Sequence, residues 1–125
     1  MRVLWTLLAL TAVVGSPAFA QDPVVVDAAH YTVIFENDKV RVLRIEYGPG
    51  EESVMHDHPD GVAVALEDTR MQFTLADGQV VENEFEAGEA IWATGGAHLP
   101  KSLSDTPSAI ILVEIKDPPH AEGGE

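Results

Sequence analysis

Arg70-Met71-Gln72-Phe73-Thr74-Leu75-Ala76-Asp77-Gly78-Gln79-Val80-Val81-Glu82-Asn83-Glu84-Phe85-Glu86 is the stretch on which the fold class turns. Met71, Phe73 and Leu75 alternate with Gln72 and Thr74, and Val81 and Phe85 oppose Glu82, Glu84 and Glu86. A period of two sends successive side chains to opposite faces of a strand. Asp77-Gly78 between two such runs therefore predicts a β-hairpin. The pattern leaves open whether Met71 and Phe73 or Gln72 and Thr74 face the interior. The three glutamates read as a solvated strand edge that discourages pairing with other chains.

Outward from the hairpin the same texture continues. Tyr31 to Glu36 and Val40 to Tyr47 are β-prone runs separated by the Asn37-Asp38 turn. Gly61 to Leu66 is a small-apolar run that predicts a strand buried on both faces. Ala90 to Ala93 is a short strand, Thr94 to Ala97 a tight loop, and Ala109 to Ile115 a last apolar strand after Pro107. Val24-Val25-Val26 predicts a further short strand, one that could pair with a second copy in a homodimer. No segment after residue 20 carries a 3.6-residue apolar stripe. Turns spaced by about 8–12 residues instead predict an all-β antiparallel sandwich or barrel.

The first twenty residues stand apart. Met1-Arg2 is a short positive start, Val3 to Val14 an apolar run, and Ala18-Phe19-Ala20 a small-x-small cleavage pattern before Gln21. This is the layout of a cleavable signal peptide over 1–20, and the run is short of the ~20 residues that span a bilayer. It predicts export to the periplasm or the medium, one folded domain over 21–116 and a frayed tail over 117–125. The chain has no cysteine, so an exported domain would be held by packing, with help from a bound metal. Six basic side chains against 21 acidic ones remain after cleavage, a net charge of −15. Such a surface repels phosphate backbones and anionic lipid, which argues against nucleic-acid and membrane partners and for a small-molecule ligand or substrate.

Five histidines are present, and two sit one residue apart in Gly50-Glu51-Glu52-Ser53-Val54-Met55-His56-Asp57-His58-Pro59-Asp60-Gly61. On a strand His56 and His58 share a face. Alone they fit two surface residues equally well; with His98, just past the Gly95-Gly96 loop, they could form a three-imidazole site. Such a site suits Fe, Mn, Ni, Zn or Cu. His30 and His120 are expected to be exposed, as are Arg70 and Lys101. Tyr47, Met55 and Trp92 fit a pocket wall or plain core. No Ser-His-Asp order, phosphate loop or paired-carboxylate signature stands out.

Gly50-x5-His56-x-His58 and Gly88-x5-Thr94-Gly95-Gly96-Ala97-His98 resemble the two motifs of the cupin superfamily, and the resemblance runs from about Val40 to Lys116. His-Pro-Asp-Gly and the Phe-Thr-Leu-Ala-Asp-Gly hairpin are similar to small single-domain bacterial cupins that include the β-alanine degradation cupins. The resemblance implies a jelly-roll-like β-barrel holding one divalent metal through His56, His58 and His98. It implies either a metal-dependent enzyme of dioxygenase or isomerase type or a non-catalytic metal- or ligand-binding module. The chain departs from the family where a glutamate usually follows the second histidine: Val62 and Ala63 stand there, and Asp60 is the carboxylate whose parity would let it substitute. Thr94 stands where the second motif has proline.

Overall fold

The computed structural model describes residues 21–117. The leader expected over 1–20 and the tail beyond Asp117, including His120, lie outside the described residues. Within them the chain forms one helical turn, α1 (Pro23–Val26), and nine strands. These are β1 (Tyr31–Glu36), β2 (Val40–Tyr47), β3 (His56–His58), β4 (Gly61–Ala65), β5 (Thr69–Leu75), β6 (Val80–Phe85), β7 (Ala90–Ala93), β8 (Gly96–Ser102) and β9 (Ser108–Ile115).

The hairpin forms as its alternation dictates. β5 and β6 pair from Thr69↔Phe85 to Thr74↔Val80. The connection is closed by Gly78 N–H to Leu75 O at 2.9 Å and Leu75 N–H to Gln79 O at 2.8 Å. Gly78 takes φ +87°, a left-handed value that an L side chain resists. Met71, Phe73 and Leu75 turn inward, while Glu82 and Glu84 are exposed at the β6 edge. Arg70 stays at the surface, ion-paired with Glu82 at 2.8 Å.

All strand pairs are antiparallel, in two sheets ordered β1-β2-β9-β4-β7 and β3-β8-β5-β6. The expected barrel needs one correction: no hydrogen bonds join the sheets into a closed ring. β6 and β7 are consecutive in sequence but end different sheets, because the turn between them returns to β4 through Gly88 N–H and Ala65 O at 2.7 Å. Tyr31, Leu43, Ile45, Tyr47, Met71 and Leu112 form the core between the sheets.

Two local expectations change. Val24-Val25-Val26 is helical rather than a strand, because Asp22 caps the turn by accepting from Val24 N–H at 3.1 Å and Pro23, without an N–H, suits its first position. These local constraints override the β-propensity of valine, and this segment offers no strand for a second copy to pair with. The loop expected over 94–97 shrinks to Thr94-Gly95, because Ala97 pairs with Asp57 and Gly96 with His58. β4 lies, as expected, inside its sheet between β9 and β7. Its ends Gly61 and Ala65 are buried, but the residues between them are half-buried, so burial on both faces is incomplete.

Candidate metal centre

β3 carries His56 and His58 on one face, and β8 lies beside it with His98 directly opposite His56. A cross-strand pair points to the same side of a sheet, so all three imidazoles converge between the sheets. Their ring centroids are 5.9 Å apart for His56–His58, 5.0 Å for His56–His98 and 4.6 Å for His58–His98. One ligand nitrogen from each lies within 4.8 Å of the others. The loop before β8 is pressed against the histidine strand: a Cβ on Gly95 would stand 2.8 Å from both His58 O and Asp60 N. Any side chain there would push β8, and His98 with it, away from β3.

The rings are oriented from behind. His56 Nδ1–H donates to Val54 O at 2.8 Å, which leaves the Nε2 lone pair on the cluster side, where the Tyr31 hydroxyl lies 3.2 Å from it. His58 Nδ1–H reaches Pro59 O at 3.3 Å. Backbone acceptors of this kind fix the tautomer of a metal-binding histidine. The His98 ring stacks on Phe73 at 5.2 Å, and its Nε2 is 2.9 Å from that of His58. Burial, aided by the neighbouring His58 and His56, pushes His98 down to about 3, and burial also lowers His56. His98 and His56 are therefore held as neutral imidazoles, crowded together with His58. That donor set fits a divalent transition metal.

No carboxylate joins the group among the described residues. Asp60 is held elsewhere, its Oδ1 accepting from Gly95 N–H at 2.6 Å, so it braces the β8 loop and does not take the place of the missing glutamate. Ala63 faces the cavity and brings only a methyl group.

Of the polar groups beside the cluster, the sequence pointed to Tyr47, as pocket wall or core, but not to Tyr31 or Ser53. Tyr31 and Tyr47, both buried, join hydroxyls at 2.7 Å, and the Tyr31 hydroxyl reaches His56 Nε2 at 3.2 Å. Burial raises both phenols, Tyr47 to about 12, so both stay protonated donors at neutral pH. Ser53 Oγ donates to Asp27 and lies 3.3 Å from His56 Nδ1. Pairing of β1 with β2 sets Tyr31 opposite Ile45; only the alternation of β1 could have hinted that Tyr31 turns inward.

His30 corrects an expectation of exposure. It is partly buried, stacked on Tyr47 at 4.6 Å, with Nδ1–H donating to Asp27 at 2.8 Å and Nε2–H to Glu51 at 2.6 Å. Burial pulls its pKa down, but the hydrogen bonds to Glu51 and Asp27 outweigh burial and hold it above the ordinary value of 6.5. A raised pKa contributes stability that is complete below 6.5 and lost as pH rises through the folded value. His30→Gln is therefore expected to melt several degrees below the parent at pH 6, with the gap narrowing as pH rises above 6.5 through the raised folded value. A gap independent of pH, measured by thermal melts, would show that the imidazolium is not what holds this corner.

A cavity of about 240 Å³ opens beside the cluster. Tyr31, Tyr47, His58 and His98 line one end, and Met71, Phe73, Leu75, Phe85, Ile91 and Ile110 its walls. Trp92, expected as wall or core, stands half-exposed at the rim, whereas Met55 is on the surface and not part of the lining.

No family model matches the chain, and no curated protein matches it in sequence. Solved structures do. A cupin domain from Bordetella pertussis Tohama I is 27% identical, with a TM-score of 0.65 over 70% of this chain and 92% of that one. An uncharacterized conserved protein with a double-stranded β-helix domain from Klebsiella pneumoniae is 20% identical, TM-score 0.55, over 68% of this chain and 74% of that one. The polyketide cyclase RemF from Streptomyces resistomycificus is 21% identical, TM-score 0.52, over 71% of this chain and 66% of that one.

Proposed function

We propose that this chain, which fits the cupin superfamily by its fold, is a metal-dependent enzyme acting on a small molecule, with one divalent ion held by His56, His58 and His98. The observation that carries the reading is the convergence of three imidazoles beside a cavity that His58 and His98 help to line. Three protein ligands leave coordination positions free for water or substrate, as in catalytic rather than structural sites. When bound, the ion would supply Lewis-acid or oxygen-activating chemistry. The chain's own residues orient the imidazoles through Val54 O and Pro59 O, wall out water with apolar side chains, and present the Tyr31 hydroxyl to whatever meets the open face. The other enzyme on this fold noted above, RemF, supports no more than that such a fold can carry catalysis.

The leader-like first twenty residues support a cell address: the protein is exported, periplasmic or secreted, and works on a small molecule without nucleic-acid or membrane partners. A non-catalytic binding module is the second reading, favoured by the absence of a carboxylate base among the described residues of the cluster. Metal analysis of the purified mature protein, with oxygen consumption and isomerisation assays on a small-molecule panel, separates them. We expect about one metal per chain and turnover that a chelator abolishes. Metal without turnover favours the binding module, and a chain without metal that cannot be loaded sinks the metal site and the enzyme reading with it.

A further inference from the structure

The cavity has one polar end and no charged wall. Among its lining residues there is no lysine, arginine, aspartate or glutamate. The polar side chains gather at the histidine end, as His58, His98, Tyr31 and Tyr47, and the two remaining ones, Asn83 and Thr94, are exposed. Between them the walls are Met71, Phe73, Leu75, Phe85, Ile91 and Ile110. A carboxylate or phosphate held against these walls would lose its water and gain no partner, which is expensive. The net charge of the whole chain, −14, adds a second bias against anions.

We infer that the site takes a single-headed ligand: one oxygen-bearing group at the histidine end and an uncharged, apolar body of about one aromatic ring. The volume of about 240 Å³ equals that of about eight waters, enough for such a body and little more. The head meets the open face of the metal and the Tyr31 hydroxyl, which Tyr47 holds at 2.7 Å. The body lies against Phe73 and Phe85 and excludes water. This inference rests on the metal reading above, and it adds a substrate class that excludes sugar acids, amino acids and dicarboxylates.

Three hydroxamates with the same metal-seeking head test it: acetohydroxamic acid with a methyl tail, benzohydroxamic acid with a phenyl tail, and succinic acid monohydroxamate with a carboxylate tail. The full mature chain is loaded with cobalt(II), its metal content measured, and each compound titrated while the visible spectrum of the ion is followed. The phenyl compound is expected to bind about tenfold or more tighter than the methyl one, and the carboxylate compound no tighter than the methyl one. Ile91→Arg, which sets a cation on the edge strand of the cavity wall, should reverse the order of phenyl and carboxylate tails. A cobalt-loaded chain that binds all three alike, or prefers the carboxylate tail, overturns the inference and leaves the metal reading standing. A chain that takes up no cobalt overturns the metal reading, and the inference with it.

Discussion

His98→Ala is expected to strip the metal from the protein and to abolish the response of its melting temperature to chelators. His98 is the one ligand supplied by β8, and it stands opposite His56 and in contact with His58. Without it, two imidazoles whose centroids are 5.9 Å apart remain, with no carboxylate in the group to compensate. Weakening a residue that only orients a ligand costs about 10–100-fold in affinity, so loss of the ligand itself should exceed about 100-fold. An ion present at about 100 times its dissociation constant stabilises the folded state by about 2.7 kcal/mol. For a domain of this size that is on the order of 10 °C. The parent should lose this increment on chelation and His98→Ala should not. Stability should also fall in acid. His98 and His56 are held neutral in the fold by burial, so the unfolded chain takes up protons first and stability falls as pH drops below 6.5 toward their lowered folded values. Proton competition for the ligand nitrogens acts in the same direction. Equal metal content in His98→Ala and parent would refute the site.

Arg41→Met should cause the largest loss of stability. Glu114 is 1% exposed, and one of its carboxylate oxygens has no hydrogen-bond partner among the described residues. The other accepts from Arg41 Nε at 2.6 Å across the β2–β9 pair. Removing one member of a buried pair strands the other charge, at a cost of about 3–5 kcal/mol. A melting temperature on the order of 20 °C lower follows for a domain of this size. Arg41→Met combined with Glu114→Leu removes both charges and should recover most of the loss. A double variant no better than the single one would assign the effect to packing. Arg41 also grips Asp22 with two bonds, at 2.7 and 3.0 Å, and thereby ties down the residues that precede β1. Gln21 O there accepts from Asp57 N–H at 2.9 Å, between the two histidines of β3. The single variant should therefore also bind metal more weakly, by about tenfold. The hydrogen bonds to Arg41 hold Asp22 below its usual carboxylate value, so its contribution is present above pH 3.8 and disappears as pH falls through the lowered folded value.

Strand positions and the His56–His58 pair were legible because each depends on short-range rules. Alternation at 71, 73 and 75, the Asp77-Gly78 turn and the His-x-His spacing are readable without knowing what lies across the sheet. Arg41 shows the opposite case. In sequence it is one basic residue in a β-branched run; its importance comes from Glu114, which is 73 positions away. His30 is similar, since nothing local to it announces Glu51 or the face of Tyr47. The Val24-Val25-Val26 expectation failed for a local reason: valine's preference for strands yields to a capped turn that starts with proline.

By itself the sequence determined that the described chain is all-β, that His56 and His58 share a face, and that Val62 and Ala63 rather than a glutamate stand four and five positions after His58. Periodicity and residue identity suffice for each of these. Tertiary structure alone decided that His98 lands opposite His56, that Asp60 braces Gly95 instead of joining the cluster, and that the cavity is polar at one end only. It also decided that the sheets stay unclosed, with β6 and β7 at separate edges. These are properties of pairing between distant segments. Register across β3 and β8, and the packing of one sheet on the other, place side chains that no local spacing can bring together.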